Sequence, residues 1–192
     1  MPSKRKNKAI MKITTKLTLQ ILYVLSWIIF VGTCIEAGGF IFNTFFTLAI
    51  NPIDAKHYWE GLDLSNLYNY DHGYFFAETF HMIMVAVMRA WLFYLIIRIL
   101  ADKKLDLSQP FSSKVGRFLF NISYIALMIG ILSWWGVKNT EWLVSKGVKL
   151  PDIQYLRLGG ADVWLFMGVT LYVIAQIFKR GIEIQTENEL TV

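Results

Sequence analysis

Four long apolar runs, at about residues 17–50, 74–100, 115–137 and 161–178, decide what this sequence can become. A helix needs about 20 mostly apolar residues to cross a bilayer, where its backbone polar groups must be paired within the segment. Only 17% of the residues are charged, against about 25% in a soluble domain. The reading is an all-α membrane protein: one domain over residues 1–192 with four transmembrane helices. Long connectors lie at 51–73 and 138–160. The lipid bilayer is its first partner. The net charge of +5 sits on residues that flank the runs, not on a basic face of a soluble module, so no direct nucleic-acid contact is expected. The single cysteine, Cys34, lies inside an apolar run and reads as packing material.

The first run is longer than one span needs and too short for two. No small-x-small cleavage site follows it, so it reads as an uncleaved span. Its interruption is "CIEAGG". A long or kinked helix is favoured over a helix ending near Ala37 with the following segment along the interface, because glycine pairs bend helices more often than they end spans. In "ADKKLDLSQPFSSKVGR", Pro110 sits where a helix would begin, and Ser112 or Ser113 suits its first turn. The second connector offers a short amphipathic turn around Trp142 to Val144, before Gly147 and Pro151 break regular structure.

Basic residues set the orientation. Lys4, Arg5, Lys6, Lys8, Lys12 and Lys16 precede the first run. Arg98, Lys103, Lys104, Lys114 and Arg117 surround the short connector, and Lys179 and Arg180 follow the last run. The two long connectors hold only Lys56, Lys138, Lys146, Lys149 and Arg157. Both termini are therefore expected in the cytoplasm. Trp59, Trp134, Trp135, Trp142 and Trp164 then fall near the outer interface, where amphipathic rings anchor.

The second run carries ionisable groups that lipid does not tolerate, "FFAETFHMIMVAVMRAW". Glu78 and His81 are three residues apart and share a helix face. Arg89 lies about three turns further along, on roughly the same side. Glu36 and Asp162 fall at a similar outer level in the first and fourth spans. The expectation is an outer-leaflet polar group of Glu36, Glu78, His81 and Asp162, with Arg89 a deeper charge that snorkels toward the inner surface. Carboxylates and an imidazole suit a divalent metal or a proton relay. Structural roles compete: Asp162 as a cap, Glu78 in a first turn, and a Glu36–His81 hydrogen bond. Whether a metal binds stays open.

Enzyme chemistry is not expected, and neither is a cofactor. The sequence has no Gly-rich phosphate loop, nucleophile elbow, Cys-x-x-Cys pair or H-E-x-x-H. His57 and His72 lie among acids in the first long connector and read as solvated.

The tail "FKRGIEIQTENELTV" either frays in solvent or extends the fourth helix as a docking segment carrying Glu183, Glu187 and Glu189. This tail, with "LDLSQPFSSKVGRF" between the second and third spans, resembles the domain-of-unknown-function family 2975, over essentially the whole four-span layout. The resemblance implies a small bacterial inner-membrane protein of four helices, in a family often encoded beside a small helix-turn-helix regulator. The expected function is non-enzymatic: interaction with a cytoplasmic regulator through the tail and through Pro110 and Phe111. Two alternatives stand beside it: ion or proton transport through the outer polar group, which favours a homo-oligomer, and an accessory role in a larger membrane complex.

Overall fold

A computed structural model describes residues 3–102 and 112–190, with side chains placed for 17–102 and 112–187. It is helical, with no strand among the described residues. The elements are α1 (Ser3–Ala49), a 3₁₀ helix at Pro52–His57, α2 (Ser65–Tyr70), α3 (His72–Ala101), α4 (Ser113–Ser145) and α5 (Ala161–Leu190). Four helices, α1, α3, α4 and α5, are long and apolar enough to cross a membrane. The protein is a multi-pass helical membrane protein, with its two terminal segments at one end of the helices and the long connectors at the other.

The helices pack in sequence order. α1 lies on α3, α3 on α4, and α4 on α5. No driving force squeezes apolar helices together in lipid, so contact relies on small residues that let backbones approach. The α4–α5 seam shows this reciprocally. A Cβ on Gly130 would meet the Leu165 side chain at 2.7 Å and its backbone N at 2.9 Å. A Cβ on Gly168 would meet Leu127 in the same way, at 2.7 and 2.9 Å.

α1 runs unbroken through "CIEAGG". Gly39 does not bend it; the position admits the Trp59 ring, which occupies the space a Cβ would need. The α1–α3 register is marked by Phe30 against Tyr94, with ring centroids 6.3 Å apart. α4 starts where expected, with Ser112 Oγ accepting from Val115 N at 3.3 Å. Pro110 and Phe111 lie outside the described residues. The short turn expected at Trp142 to Val144 does not exist separately: those residues are the last turn of α4, which continues to Ser145.

The long connectors are folded. The pairing of Leu165 with Gly130 means that α5 begins about three helical turns short of the end of α4. Residues 146–160 therefore return between the helices, and Leu156 and Leu158 are fully buried. With Phe40, Tyr58, Leu64, Leu67, Phe75 and Leu143 they form a core at the connector end. Tyr58 donates to Phe40 O at 3.0 Å and meets Thr44 Oγ1 at 2.6 Å. Burial pushes its phenol well above the usual range, and the Thr44 bond offsets part of that. By contrast, at most a third of the most apolar stretch of each spanning helix is buried inside the protein; most of that surface is left for lipid.

The seam generates a prediction. Gly130→Ala should lower stability by about 1–3 kcal/mol through overpacking, read as a lower unfolding midpoint in detergent. Gly38→Ala, which meets nothing within 4 Å, should be neutral or stabilising by up to about 1 kcal/mol, the helix-propensity gain. Equal effects at both positions would refute close packing at the seam.

Candidate functional site

Glu78 has no solvent exposure. It sits in the second turn of α3, whose first turn is fixed by Asp71 Oδ1 accepting from Tyr74 N at 3.0 Å. Its partners come from α4. Asn139 Nδ2 donates to Oε2 at 2.6 Å, and the Thr140 hydroxyl lies in short hydrogen-bond contact with Oε1. Thr140 Oγ1 is also 3.0 Å from Gly136 O, which can only accept. One hydroxyl hydrogen cannot serve both acceptors fully, so the three groups form a coupled chain across the α3–α4 interface. One turn below, His81 Nδ1 is 2.6 Å from Ala77 O. A carbonyl only accepts, so Nδ1 carries the hydrogen. Gly136 brings α4 close here: a Cβ on it would meet His81 Cβ at 3.2 Å and the Leu158 side chain at 2.9 Å.

The other expected members go elsewhere. Glu36 Oε1 pairs with Arg157 Nε at 2.9 Å, and Arg157 Nη2 reaches Glu60 Oε2 at 3.2 Å. The expected Glu36–His81 hydrogen bond is therefore replaced by two separate interactions, each with a nearer partner. Arg157 has φ 59°, a left-handed backbone that L residues rarely adopt. Asp162 lies in the first turn of α5. Among the described residues no three His, Cys, Asp or Glu side chains converge as a metal would require.

Arg89 does not extend toward the terminal end as its depth suggests. Its guanidinium carbon is 5.7 Å from the Trp164 ring centroid, and it interacts electrostatically with Glu36 and Arg157. It therefore belongs with the connector-end charges and not with the terminal end. Side chains on a helix lean toward its N-terminus, and the N-terminus of α3 is the connector end. Its Nε is buried with no hydrogen-bond partner among the described residues.

Of the docking candidates, Glu183, Glu187 and Glu189 fall on the α5 extension, while Pro110 and Phe111 lie outside the described residues. Glu183 pairs with Arg180 at 3.1 Å. Glu187 is exposed on the same helix, and the side chain of Glu189 lies outside the described residues.

Asn139, Thr140, Arg157 and Trp164 were missed as site residues by sequence reasoning. A signal for Thr140 existed. Ser123, Ala126, Gly130, Ser133, Gly136 and Thr140 recur at helical spacing as a buried small-residue stripe. Following it past Val137 carries the helix onward and turns Thr140 inward.

The fold and this interface define a helical multi-pass membrane protein whose central helix pair is joined by a buried carboxyl. The chain belongs to the family described as "Protein of unknown function (DUF2975)", whose model matches residues 59–192. The match begins at Trp59 and so leaves α1 outside, narrower than the four-span likeness read from the sequence. No curated protein and no solved structure matches the chain.

Glu78→Ala should lower stability by about 1–3 kcal/mol, because Asn139 and Thr140 lose their buried partner; interhelical bonds in membranes favour the lower part of that range. Glu78→Gln can donate to Thr140 and accept from Asn139, and should stay within about 0.5 kcal/mol of the parent, the size of an ordinary neutral change. Detergent unfolding of both variants is the check. If Gln is as damaging as Ala, the carboxyl has a role beyond joining two helices.

Proposed function

We propose that this protein is a non-enzymatic component of the bacterial inner membrane that works through protein interaction. Both termini face the cytoplasm, following the lysine and arginine bias around the connectors. The partner is a small helix-turn-helix regulator, which the terminal helix holds or releases as the membrane protein changes state.

One observation carries the reading. α5 does not stop at the end of its apolar run but continues as helix to Leu190. That adds about 18 Å of helix beyond Phe178, at 1.5 Å per residue. The extension is steadied at its base, where the Ile182 side chain packs toward Gly116 of α4. Further on, Ile184 is 46% exposed, beside Glu183 and Glu187. Acids at a helix C-terminus oppose its dipole, and Glu183 offsets part of that through its exposed pair with Arg180. An exposed isoleucine among acids suits a basic partner such as a DNA-binding regulator, by charge complementarity.

The test is co-purification of the full-length membrane protein with a small helix-turn-helix regulator taken from a neighbouring gene. Deleting residues 181–192 should reduce capture at least tenfold. No capture by the intact protein refutes the reading, and unaltered capture by the truncated one removes the terminal helix from it.

A further inference from the structure

A groove of about 500 Å³ opens between α3 and α4 on their way to the terminal end. Its walls are aromatic and aliphatic: Trp91 and Tyr94 on one side, Tyr124, Ile125 and Met128 on the other. The walls are braced from behind. Tyr94 packs on Phe30 of α1, and Tyr124 packs on Phe120 and on Tyr172 of α5. The groove is thus part of the folded row of helices and not a gap that side chains would close.

At its terminal end the groove runs into a second cavity of about 410 Å³, and Leu95, Arg98 and Asn121 line both. This mouth is strongly basic. Among the described residues, Arg98, Lys114 and Arg117 line it with one acid, Asp102, which is ion-paired with Lys114. The described lining thus carries a net charge of about +2, three cations against one carboxylate. Arg98 stands in the last turn of α3, while Lys114 and Arg117 share a face in the first turns of α4. The positive end of the α4 dipole adds to the same field.

We propose that this groove is a binding site for an anionic phospholipid, with the headgroup phosphate between Arg98 and Arg117 and one acyl chain along Tyr94, Tyr124 and Met128. Charge and dimensions both select that occupant. From Met88 to Arg98 the groove follows ten residues of α3, about 15 Å at 1.5 Å per residue. That is half of a hydrocarbon core of about 30 Å, so one leaflet's chain fits. A free phosphate would use the basic mouth and leave the apolar groove empty. A second protein helix would fill the groove and leave the cations without anions. A lipid with a net negative headgroup satisfies both halves, as basic pockets between membrane helices do elsewhere. The site does not depend on the tail or on any regulator.

The test is native mass spectrometry of the full chain in detergent, titrated with phosphatidylglycerol or with phosphatidylcholine of the same acyl chains. Phosphatidylglycerol should be retained at least tenfold more tightly. The double variant Arg98→Gln/Arg117→Gln should weaken its binding roughly thirtyfold, from about 1 kcal/mol per basic residue near a membrane surface. Both side chains are exposed, so folding is not at issue. Met128→Trp, which fills the groove, should weaken binding at least tenfold without touching the charges. Equal retention of the two lipids overturns the proposal, and so does unchanged binding in the double variant. If only the charge variants matter, the site is a headgroup patch without a chain groove, and the proposal falls. If Met128→Trp instead splits a lipid-free dimer, the groove belongs to a second copy, which also refutes it.

Discussion

The row of helices depends on one contact between its two middle members. α1 packs on α3 and α5 on α4, so the α3–α4 pairing is the helix-on-helix contact that joins the two outer pairs. That pairing is anchored near the connector end by Glu78, whose two oxygens meet Asn139 and Thr140. An unpaired carboxyl in hydrocarbon is costly, and α4 offers partners at the right depth. Apolar packing in lipid is weakly selective, so a buried polar contact of this kind can define which faces meet and in which register.

A second consequence concerns where order is concentrated. The buried side chains gather at the connector end, where residues 50–70 and 146–160 fold over the helix ends. Arg157 stands at the centre of this arrangement. It joins Glu36 of α1 to Glu60 of the first connector from a strained left-handed backbone. Arg89, which is 5.7 Å from the Trp164 ring centroid, feels the charges of Arg157 and Glu36. The two connectors, α1, α3 and α5 thus each contribute to one group of charges and rings. Among the described residues the terminal half has no comparable core; there the helices meet at small residues such as Gly116 and at aromatic edges such as Phe120 on Tyr172.

Much of this was legible in the residues. Four apolar runs are a direct consequence of bilayer thickness, and the polar face of the second one follows from helical periodicity. The family likeness rested on the tail and the short connector, both within the matched region. What was not legible follows from two physical facts. Helices are not obliged to end where hydrophobicity ends, so Asn139, Thr140 and Trp142 were assigned to a connector when they are α4. Second, the direction a long side chain takes is fixed by its Cα–Cβ vector as well as by its depth. Depth alone sent Arg89 toward the terminal end, while the backbone direction of α3 sends it to Trp164. Glu36 was misread for a related reason: its partner Arg157 is 121 positions away, in a segment with no periodicity to reveal that it turns back into the protein.

The Trp59 ring over Gly39 has a meaning for descent as well as for packing. It lies on the boundary of the family match, with the ring inside the matched region and the glycine in the helix outside it. Ring and glycine are complementary, so neither position can change freely while the other is kept. A lineage that replaced Gly39 with a bulky residue would have to shrink Trp59 as well, and one that dropped α1 would release Trp59 from any such restraint. The pair therefore ties the matched region to the first helix by shape, one member on each side of that boundary.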